Sequence, residues 1–323
     1  MTLRKSIAFV LLLACAALET AANAQEFPSK PVKIVAFYPP GGPSDFIARL
    51  VAEKLQQSFG QPFVVENRPG ASLRIGTEYV ARSAPDGYTI GVTGGPHATN
   101  PFLYPSLPYD TLKDLAGLAH LVDAPLVLSV PAGSPIKTLS DLLQAAKAKQ
   151  GHLTVATAGN GTTTHLAAEL LFLTAGTGFT HVPYKGDGPA VTELLGERVD
   201  AGFNTLQAVL QHINGGRVRG LAVGERARAA AVQSVPTFIE QGYPGIAVSA
   251  WFGMVVPSGV PRDVVNRLNR EINVALASPD VKDKAAKAGL VTVGGSAEQF
   301  DAHIKSEMER WSQVIRTRGI KAD

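Results

Sequence analysis

Cysteine is almost absent from the sequence. Cys15 is the only one among the 323 residues, and it lies in an N-terminal segment that we expect to be removed. Without it, the mature chain has no disulfide, no thiol nucleophile and no cysteine metal site. A chain of this length can bury enough apolar surface to fold without such cross-links. Its stability is therefore expected to come from its own hydrophobic core.

An excess of one charge is also lacking. The chain carries 30 Lys and Arg against 27 Asp and Glu, which gives a net charge of +3. It has no long basic run and no basic residues alternating with aromatic ones, so nucleic acid is not predicted as a partner. The small positive balance is compatible with small anions but identifies none of them.

Signatures of common catalytic sites are missing too. The Gly-x-Ser-x-Gly elbow of α/β-hydrolases does not occur. The segment Gly159-Asn160-Gly161 lacks the third glycine of a dinucleotide fingerprint, and no cofactor is predicted. His97, His165 and His181 fall in different loops without metal-ligand spacing, so no metal site is predicted either. We interpret all three as structural histidines, and expect His165 to be the most apt to touch a ligand.

Apolar runs long enough to span a membrane, about 18 residues, do not occur beyond the N-terminus. The first 24 residues have the form of a secretory signal peptide, in which basic residues precede an apolar run over 7–18 and Ala22-Asn23-Ala24 matches a cleavage site. We predict cleavage after Ala24, a mature chain beginning at Gln25, and export to the periplasm. One alternative stays open, because Leu12-Leu13-Ala14-Cys15 loosely resembles a lipoprotein cleavage box.

The most informative segment that is present runs from Phe37 to Asp45, with the sequence FYPPGGPSD. A short β-branched strand is predicted before it at 32–36, and an amphipathic helix after it over 45–59. Its glycines allow close backbone approach, and Ser44 or Asp45 can cap the helix. Such a strand–turn–helix unit directs backbone N–H groups and a helix dipole at an anion. The alternative is an ordinary turn that needs glycine only for its geometry.

A second unit of the same kind follows later in the chain. A strand is predicted at 153–156, a turn rich in glycine and threonine at 157–165, and a helix at 166–172. This turn contains more hydroxyl groups than a helix cap requires. Two such units suggest two α/β lobes that each present a helix N-terminus to one ligand.

Strands and helices alternate along the rest of the chain, which predicts parallel sheets flanked by helices. The segment 93–100 is predicted to be a loop. Helices are predicted over 140–150, capped by Ser140, over 189–196 and over 297–318. An extended stretch at 121–130, interrupted near Pro125, is taken as the crossing into the second lobe, and 247–256 as the return. The predicted organisation is a signal peptide over 1–24, a first lobe over 25–124 plus 250–323, and a second lobe over 125–249.

Seven motifs that occur in order along the chain carry a resemblance to a known family. Together they closely resemble the solute receptors of tripartite tricarboxylate transporters, also called Bug proteins. The resemblance covers essentially all of 27–320. The motifs are FYPPGGPSD at 37–45, VENRPGA at 65–71, PDGYT at 85–89, NPFLY at 100–104, AGNGT at 158–162, HVPYKG at 181–186 and AWFG at 250–253.

The resemblance implies a two-lobed periplasmic binding protein, type II-like, that holds a small carboxylate in the cleft between its lobes and delivers it to a membrane permease. It also implies a function without catalysis, and a monomer is expected. The family grips a carboxylate between the two glycine-rich turns, and hydroxyls and amides can do this without a buried arginine. Carried over, the ligand-binding residues are Tyr38, Gly42, Ser44, Asp45, Thr93, Ala158, Asn160, Thr162, Thr163, His165, Pro183 and Tyr184.

The sequence departs from the family pattern in three places near the expected cleft, one of which, Tyr38 and Pro43 beside the glycines, changes the shape of the cleft more than its charge. Ser72-Leu73-Arg74 stands where members often carry Gly-Gly-Asn, which places Arg74 beside the cleft as a possible partner for a second carboxylate. Asn204-Thr205 stands where an Asp-Asn pair is common, and the missing acid is a natural partner for a ligand amine. These departures favour a non-amine acid, either a di- or tricarboxylate or an aromatic acid. An exposed loop arginine is the alternative at Arg74.

Two further interpretations remain open. Asp45 would repel an anion, so capping of its own helix is the favoured role for this residue. A periplasmic receptor that docks to a membrane sensor would have the same cleft as a transport receptor, and neighbouring permease genes would favour transport. An exported enzyme is the least favoured alternative.

Overall fold

Strands and helices alternate through residues 27–321, which are the residues that the computed structural model describes. The predicted signal peptide, its cleavage site and Cys15 lie outside this range. The strands are β1 (Val32–Ala36), β2 (Phe63–Asn67), β3 (Thr89–Gly94), β4 (Leu115–Pro131), β5 (Thr154–Thr157), β6 (Thr180–Pro183), β7 (Ala201–Thr205), β8 (Val218–Val223), β9 (Ser249–Pro257) and β10 (Val291–Thr292). The predicted α/β class is confirmed.

Ten α-helices in this range pack against the strands. They are α1 (Pro43–Phe59), α2 (Arg74–Ala81), α3 (Pro96–Leu103), α4 (Leu139–Ala148), α5 (Thr163–Thr174), α6 (Asp187–Leu195), α7 (Leu206–Asn214), α8 (Arg262–Ala277), α9 (Pro279–Lys287) and α10 (Ala297–Arg318). Among residues 27–321, no helix combines the length and the apolar composition needed to cross a membrane.

Two small parallel sheets position the glycine-rich turns. β1 pairs in parallel with β2 and β3, and β5 pairs in parallel with β6 and β7. Carboxyl ends of parallel strands meet at one edge of a sheet. The turn after β1 therefore lies beside the end of β3, where the Phe37 N–H donates to the carbonyl of Val92 at 3.1 Å. In the same way, Thr157 at the end of β5 lies opposite Pro183 at the end of β6.

Two antiparallel strands, β4 and β9, join the parallel sheets. Residues 115–125 of β4 pair with β9, whereas residues 126–131 pair with β7 and β8. β9 also pairs with β3, so that the strand order is β2-β1-β3-β9-β4-β7-β5-β6. We call the strands β1–β3 and β9 with their helices the first lobe, and β5–β8 with theirs the second lobe. The domain boundaries predicted from the sequence stay a prediction.

One hydrophobic core extends through both lobes. Buried side chains of the first lobe, such as Ile34 and Ile90, belong to the same cluster as Phe172 and Phe203 of the second lobe. Trp251 is only 1% exposed, and its Nε1 donates to Glu307 at 3.1 Å. From the sequence, Trp251 is compatible either with stacking on a ligand ring or with packing in the core, and the structure places it in the core.

Three local predictions are wrong. Residues 96–103 form α3, where we predicted a loop, because Pro96 is tolerated in a first helical turn and polar residues of this helix are buried by the rest of the fold. α4 is capped by Thr138 in a capping box with Asp141, and not by Ser140. β4 continues through Pro125 without interruption.

Candidate ligand-binding site between the two lobes

The start of α1 is shaped by glycine rather than by a side-chain cap. The N-cap residue is Gly42, which has φ −83° and ψ 177° and no side chain to cap the helix. The expectation that Ser44 or Asp45 caps α1 is therefore wrong. Pro43 follows at the first helical position, where its missing N–H carries no penalty. The result is a helix N-terminus whose remaining N–H groups lie at the end of β1.

The Asp45 carboxylate is held by groups of its own lobe. It accepts hydrogen bonds from the Gly41 N–H at 3.1 Å and from Asn67 Nδ2 at 3.0 Å. It also forms an ion pair with Arg49 at 2.9 Å. Burial alone raises the pKa of Asp45, but the bonds from Arg49, Asn67 and Gly41 bring it below its ordinary value. Asp45 is thus an ionised carboxylate whose charge is balanced by Arg49.

Two hydroxyl groups at this edge of the first lobe are buried without partners. Ser44 in α1 and Thr93 near the end of β3 are both 0% exposed. Neither Ser44 Oγ nor Thr93 Oγ1 has a hydrogen-bond partner within residues 27–321. A buried hydroxyl without a partner is unusual and costs about 1–3 kcal/mol of folding free energy. Their position is better explained by binding than by stability.

The second glycine-rich turn is built by its own threonines. Thr162 caps α5 by accepting from the His165 N–H, and its hydroxyl donates to the carbonyl of Gly159 at 2.7 Å. The Ala158 N–H donates to Thr164 Oγ1 at 3.1 Å. Thr162 and Ala158 therefore fix the shape of the turn, while Asn160 lies half-buried within it.

The turn after β3 and the helix α3 that follows it, in the first lobe, contact the second glycine-rich turn, in the second lobe. Thr99 of α3 donates through Oγ1 to the carbonyl of Gly161 at 2.9 Å. Gly161 has φ +70°, and a Cβ placed there would lie 2.1 Å from Leu103. A Cβ placed on Gly95 would lie 2.4 Å from Thr163 Oγ1. Glycine at both positions lets the backbone of one lobe approach the other at the N-terminus of α5.

Aromatic side chains stand beside these turns. Tyr38 packs edge-on against Phe252, with ring centroids 5.4 Å apart. A Cβ on Gly94 would lie 2.6 Å from the Tyr38 hydroxyl, so this hydroxyl is next to the end of β3. Burial raises the pKa of Tyr38 above its ordinary value, and the Asp187 carboxylate adds to the rise. Because Tyr38 belongs to the first lobe and Asp187 to the second, this effect acts between the lobes.

Two residues of the second lobe, Pro183 and Tyr184, are predicted to line the walls of the cleft. Pro183 at the end of β6 is exposed, and Tyr184 is half-buried. The Tyr184 carbonyl lies 2.8 Å from where a Cβ on Gly159 would be, so the loop after β6 packs closely on the second turn.

The start of α6, beside the end of β7, carries an acid that sequence reasoning missed. Asn204 is fully buried and donates through Nδ2 to Asp187 Oδ1 at 3.0 Å. Thr205 Oγ1 donates to Asp187 Oδ2 at 2.9 Å. Burial raises the pKa of Asp187 above its ordinary value despite these bonds. We had predicted helix only from 189 onward; an acid at the start of a helix, directly after Gly186, was the available signal.

Of the histidines near the cleft, His97 and His165 are buried and His181 is half-buried. His165 stacks on His181 with centroids 3.8 Å apart, and its Nδ1 accepts from the Gly161 N–H. His181 Nε2 lies 2.6 Å from Thr157 Oγ1. Burial, with His165 nearby, lowers the pKa of His181 to about 3. His97 differs because its Nδ1 has no partner within the described chain, and burial lowers its pKa to about 4.

A metal site can be examined only for residues 27–321. In that range, no group of three or more His, Cys, Asp or Glu side chains could hold a metal ion.

Arg74 is engaged with its own lobe. Its guanidinium lies 4.0 Å above the Tyr104 ring centroid, and its Nε donates to the carbonyl of Ala71 at 3.0 Å. Residues 71–73 all have left-handed φ values, which is costly for residues with a Cβ. Asn100 and Tyr104 stabilise this loop through hydrogen bonds to Ser72. Contact between Arg74 and a ligand stays a prediction.

The structure thus brings several parts of the predicted site together. Thr163 of the second glycine-rich turn meets Gly95 after β3, and the hydroxyl of Tyr38, from the first turn, lies beside Gly94. Asn204 is hydrogen-bonded to Asp187, which follows Gly186, and Gly186 is bonded to Ala158 of the second turn. The side chains of Asp45 and Arg74, in contrast, contact partners within the first lobe.

The fold and cleft are those of periplasmic solute-binding proteins. The periplasmic binding protein BugD is 31% identical, with a TM-score of 0.83, and the match covers 92% of this chain and 100% of BugD. Rpa4515 of R. palustris, solved with adipate, is 33% identical with a TM-score of 0.86 and coverage of 92% and 99%. MatC of Rhodopseudomonas palustris, solved with bound malate, is 31% identical with a TM-score of 0.82 and coverage of 90% and 100%.

Sequence comparison identifies the family. The model described as "Tripartite tricarboxylate transporter family receptor" matches residues 47–320. Protein BugT of Bordetella pertussis is 38% identical over 313 residues, covering 96% of this chain and 96% of BugT. The UPF0065 protein in the tcbD-tcbE intergenic region of Pseudomonas sp. strain P51 is 39% identical over 313 residues, covering 97% of this chain and 93% of that protein. The chain belongs to the tripartite tricarboxylate transporter receptors, the Bug family, which confirms the resemblance seen in its motifs.

Proposed function

We propose that this protein is an extracytoplasmic receptor that binds a small carboxylate in the cleft between its lobes and delivers it to a tripartite tricarboxylate-type permease. The observation that carries the proposal is the pairing of two helix N-termini, those of α1 and α5, with the buried, unpartnered hydroxyls of Ser44 and Thr93. Helix N-termini and hydroxyl donors together favour an anion with several hydrogen-bond acceptors.

The charge of the site supports a carboxylate held by neutral groups. Lysine and arginine are not among the buried charged residues of the described chain. A carboxylate can nevertheless be stabilised by backbone N–H groups and hydroxyls, since hydrogen bonds to a charged group are worth about 1.5–3 kcal/mol each. The proposed ligand-binding residues are Tyr38, Gly42, Ser44, Asp45, Arg74, Thr93, Ala158, Asn160, Thr162, Thr163, His165, Pro183, Tyr184 and Asn204.

The ligands of two neighbours support this class of ligand. Rpa4515 was solved with adipate and MatC with malate, both of which are dicarboxylates. For this chain we propose a di- or tricarboxylate or an aromatic acid. We further propose that it acts in the periplasm as a monomer after cleavage at Ala24, and that it binds its ligand without transforming it.

Ligand binding is tested on protein recovered from the periplasm after expression of the full-length gene. A thermal-shift screen would compare aliphatic di- and tricarboxylates, aromatic acids and amino acids, because a ligand that binds only the folded state raises Tm. We expect at least one carboxylate to raise Tm, and N-terminal sequencing to begin at Gln25. Mass spectrometry after denaturation would identify any acid that remained bound through purification.

Two results would contradict the proposal. If no carboxylate raises Tm and none is released on denaturation, the ligand class is wrong. If an added acid is converted to another compound, the protein is an enzyme. Transport is tested separately, since deletion of the gene should abolish uptake of the acid only in cells that have the permease, whereas a sensor would change gene expression instead.

A further inference from the structure

We propose that Asp187 forms a second subsite in the cleft, which accepts a hydrogen bond from a hydroxyl or ammonium group of the ligand. The ligand would then be a hydroxy acid or an amino acid rather than a plain carboxylic acid. This inference rests on the proposed function, because it assumes that a carboxylate of the same ligand binds at the two glycine-rich turns.

The Asp187 carboxylate is fixed in position and still has acceptor capacity. Its Oδ1 accepts from Asn204 Nδ2 at 3.0 Å and from the Thr205 N–H at 3.4 Å, and its Oδ2 accepts from Thr205 Oγ1 at 2.9 Å. An ionised carboxylate offers about four lone-pair sites. Oδ2 can therefore accept one more hydrogen bond without any rearrangement of β7 or α6.

No cation balances this acid within the described chain. The groups that act on the Asp187 carboxyl are Asn204 and Thr205, both of them neutral. Asp45, the other acid among the cleft turns, is paired with Arg49 at 2.9 Å. Asp187 is half-buried. A partly buried carboxylate without a cation is costly for stability, and a ligand donor would offset that cost.

Asn204 positions the Asp187 carboxylate. Because its neighbour is a carboxylate, Asn204 presents Nδ2 to Asp187 Oδ1. Its own Oδ1 lies on the other side, beside Gly202, where a Cβ would be only 2.5 Å away. The acceptor left for a ligand donor is therefore Asp187 Oδ2, which among the described residues accepts only from Thr205 Oγ1.

The residue before Asp187 is bonded to the second glycine-rich turn, since the Gly186 N–H donates to the carbonyl of Ala158 at 3.0 Å. The charge of Asp187 acts on the Tyr38 hydroxyl from across the cleft, although the two described side chains form no hydrogen bond with each other. The same hydroxyl adjoins Gly94, and the next residue, Gly95, adjoins Thr163 at the start of α5. A ligand carboxylate at the helix N-termini and a ligand donor at Asp187 would therefore be bound within one small region.

This assignment reverses one argument from the sequence. The residue pair Asn204-Thr205 lacks the acid that family members often carry there, which argued against an amine. The structure places the Asp187 carboxylate against both of these residues, so an acid is present after all.

The inference is tested by isothermal titration with matched ligands that differ only at C2. Succinate, malate and aspartate form one such set, and equivalent sets would cover mono- and dicarboxylates of three to six carbons. The wild-type protein should bind the hydroxy or amino member of a set at least about 10-fold more tightly than the unsubstituted acid, the effect of one good hydrogen bond to a charged group. This comparison needs no variant.

Asp187→Asn should remove that preference while leaving the affinity for the unsubstituted acid unchanged or higher. Glu197→Gln, an exposed acid near the end of the same segment, is the matched control and should behave as wild type. If carboxylates bind equally with and without the donor, or if Asp187→Asn weakens every ligand equally, the second subsite is wrong while the proposed function stands. If no carboxylate binds and none is released on denaturation, both fail.

Discussion

Ser44 and Thr93 are buried in a way that a protein selected only for stability would avoid. Both side chains are fully buried, and their hydroxyls have no partner within the described chain. By contrast, the equally buried Thr77 donates to the carbonyl of Leu73 at 2.9 Å. The difference separates a hydroxyl that stabilises the fold from two that are predicted to contact a ligand.

Ser44→Ala and Thr93→Val should therefore weaken binding without weakening the fold. Each removes a buried hydroxyl that has no partner, so the free energy of unfolding should be unchanged or higher by about 1 kcal/mol. Each should also lower ligand affinity by about 1.5–3 kcal/mol, the value of a hydrogen bond to a charged group. Urea denaturation and isothermal titration measure the two effects.

Thr77→Val is the control for these variants. It should lower the free energy of unfolding by about 1 kcal/mol and leave affinity unchanged, because its hydroxyl is paired and lies in α2. Loss of stability in Ser44→Ala or Thr93→Val without loss of affinity would assign those hydroxyls to the fold.

At the scale of elements, signals at helix ends decided which parts could be predicted. The last helix, 297–318, was predicted with the observed bounds, since Ser296 and Gln299 form a capping box and Gly319 ends the helix in a left-handed conformation. α3 was missed because it begins at a glycine and a proline and buries the polar residues Thr99 and Asn100. In a sequence, such a segment is typical of a loop.

Contacts between distant elements could not be predicted in the same way. The motifs indicated the two turns and Tyr38, but the place of Asp187 beside Asn204 depends on the neighbouring position of α6 and β7. Likewise, the contact of Gly95 with Thr163 depends on how the two lobes meet. Local periodicity contains neither kind of information.

Gly95→Ala should interfere with the approach of the lobes and leave the fold intact. Gly95 has φ −42° and ψ −45°, which alanine adopts without strain. Its new Cβ would lie 2.4 Å from Thr163 Oγ1, so the turn after β3 and the start of α5 must move apart. We expect affinity to fall by about 10-fold or more, in line with overpacking costs of about 1–3 kcal/mol.

Titration calorimetry and small-angle scattering with and without ligand would measure this effect. Gly245→Ala is the control, since a Cβ there would meet nothing within 4 Å. Wild-type affinity and ligand-induced compaction in Gly95→Ala would indicate that this contact is not needed for binding.

At the scale of the whole molecule, buried histidines make stability depend on pH. Burial lowers the pKa of His97 and His303 to about 4, and of His181 to about 3. In the unfolded chain these groups titrate near 6.5. The unfolded chain therefore binds more protons between these values, so their contribution is fully present above about pH 6.5 and is lost as pH falls toward 4.

Urea denaturation at pH 7.5 and pH 5 should show this loss, and His97→Gln should reduce it. Carboxyl groups with raised pKa values, such as those of Asp187 and Glu307, act in the opposite direction, so the comparison is made between variants at each pH. His152→Gln, at an exposed position, should keep the wild-type dependence. Equal pH dependence in His97→Gln and wild type would contradict the assignment.

The position of β9 in the sheet determines the order in which the strands of a newly synthesised chain can pair. β9 lies between β3 and β4, yet the whole second lobe separates β3 from β9 in the sequence. Strand pairs so distant in sequence form slowly, and until then the edges of β3 and β4 present unpaired backbone groups that can join other chains. The parallel strands of the second lobe are contiguous and can pair earlier. We therefore expect the first lobe to be the first to begin folding and the last to complete it. Its tendency to aggregate should be limited to the interval before β9 pairs with β3 and β4.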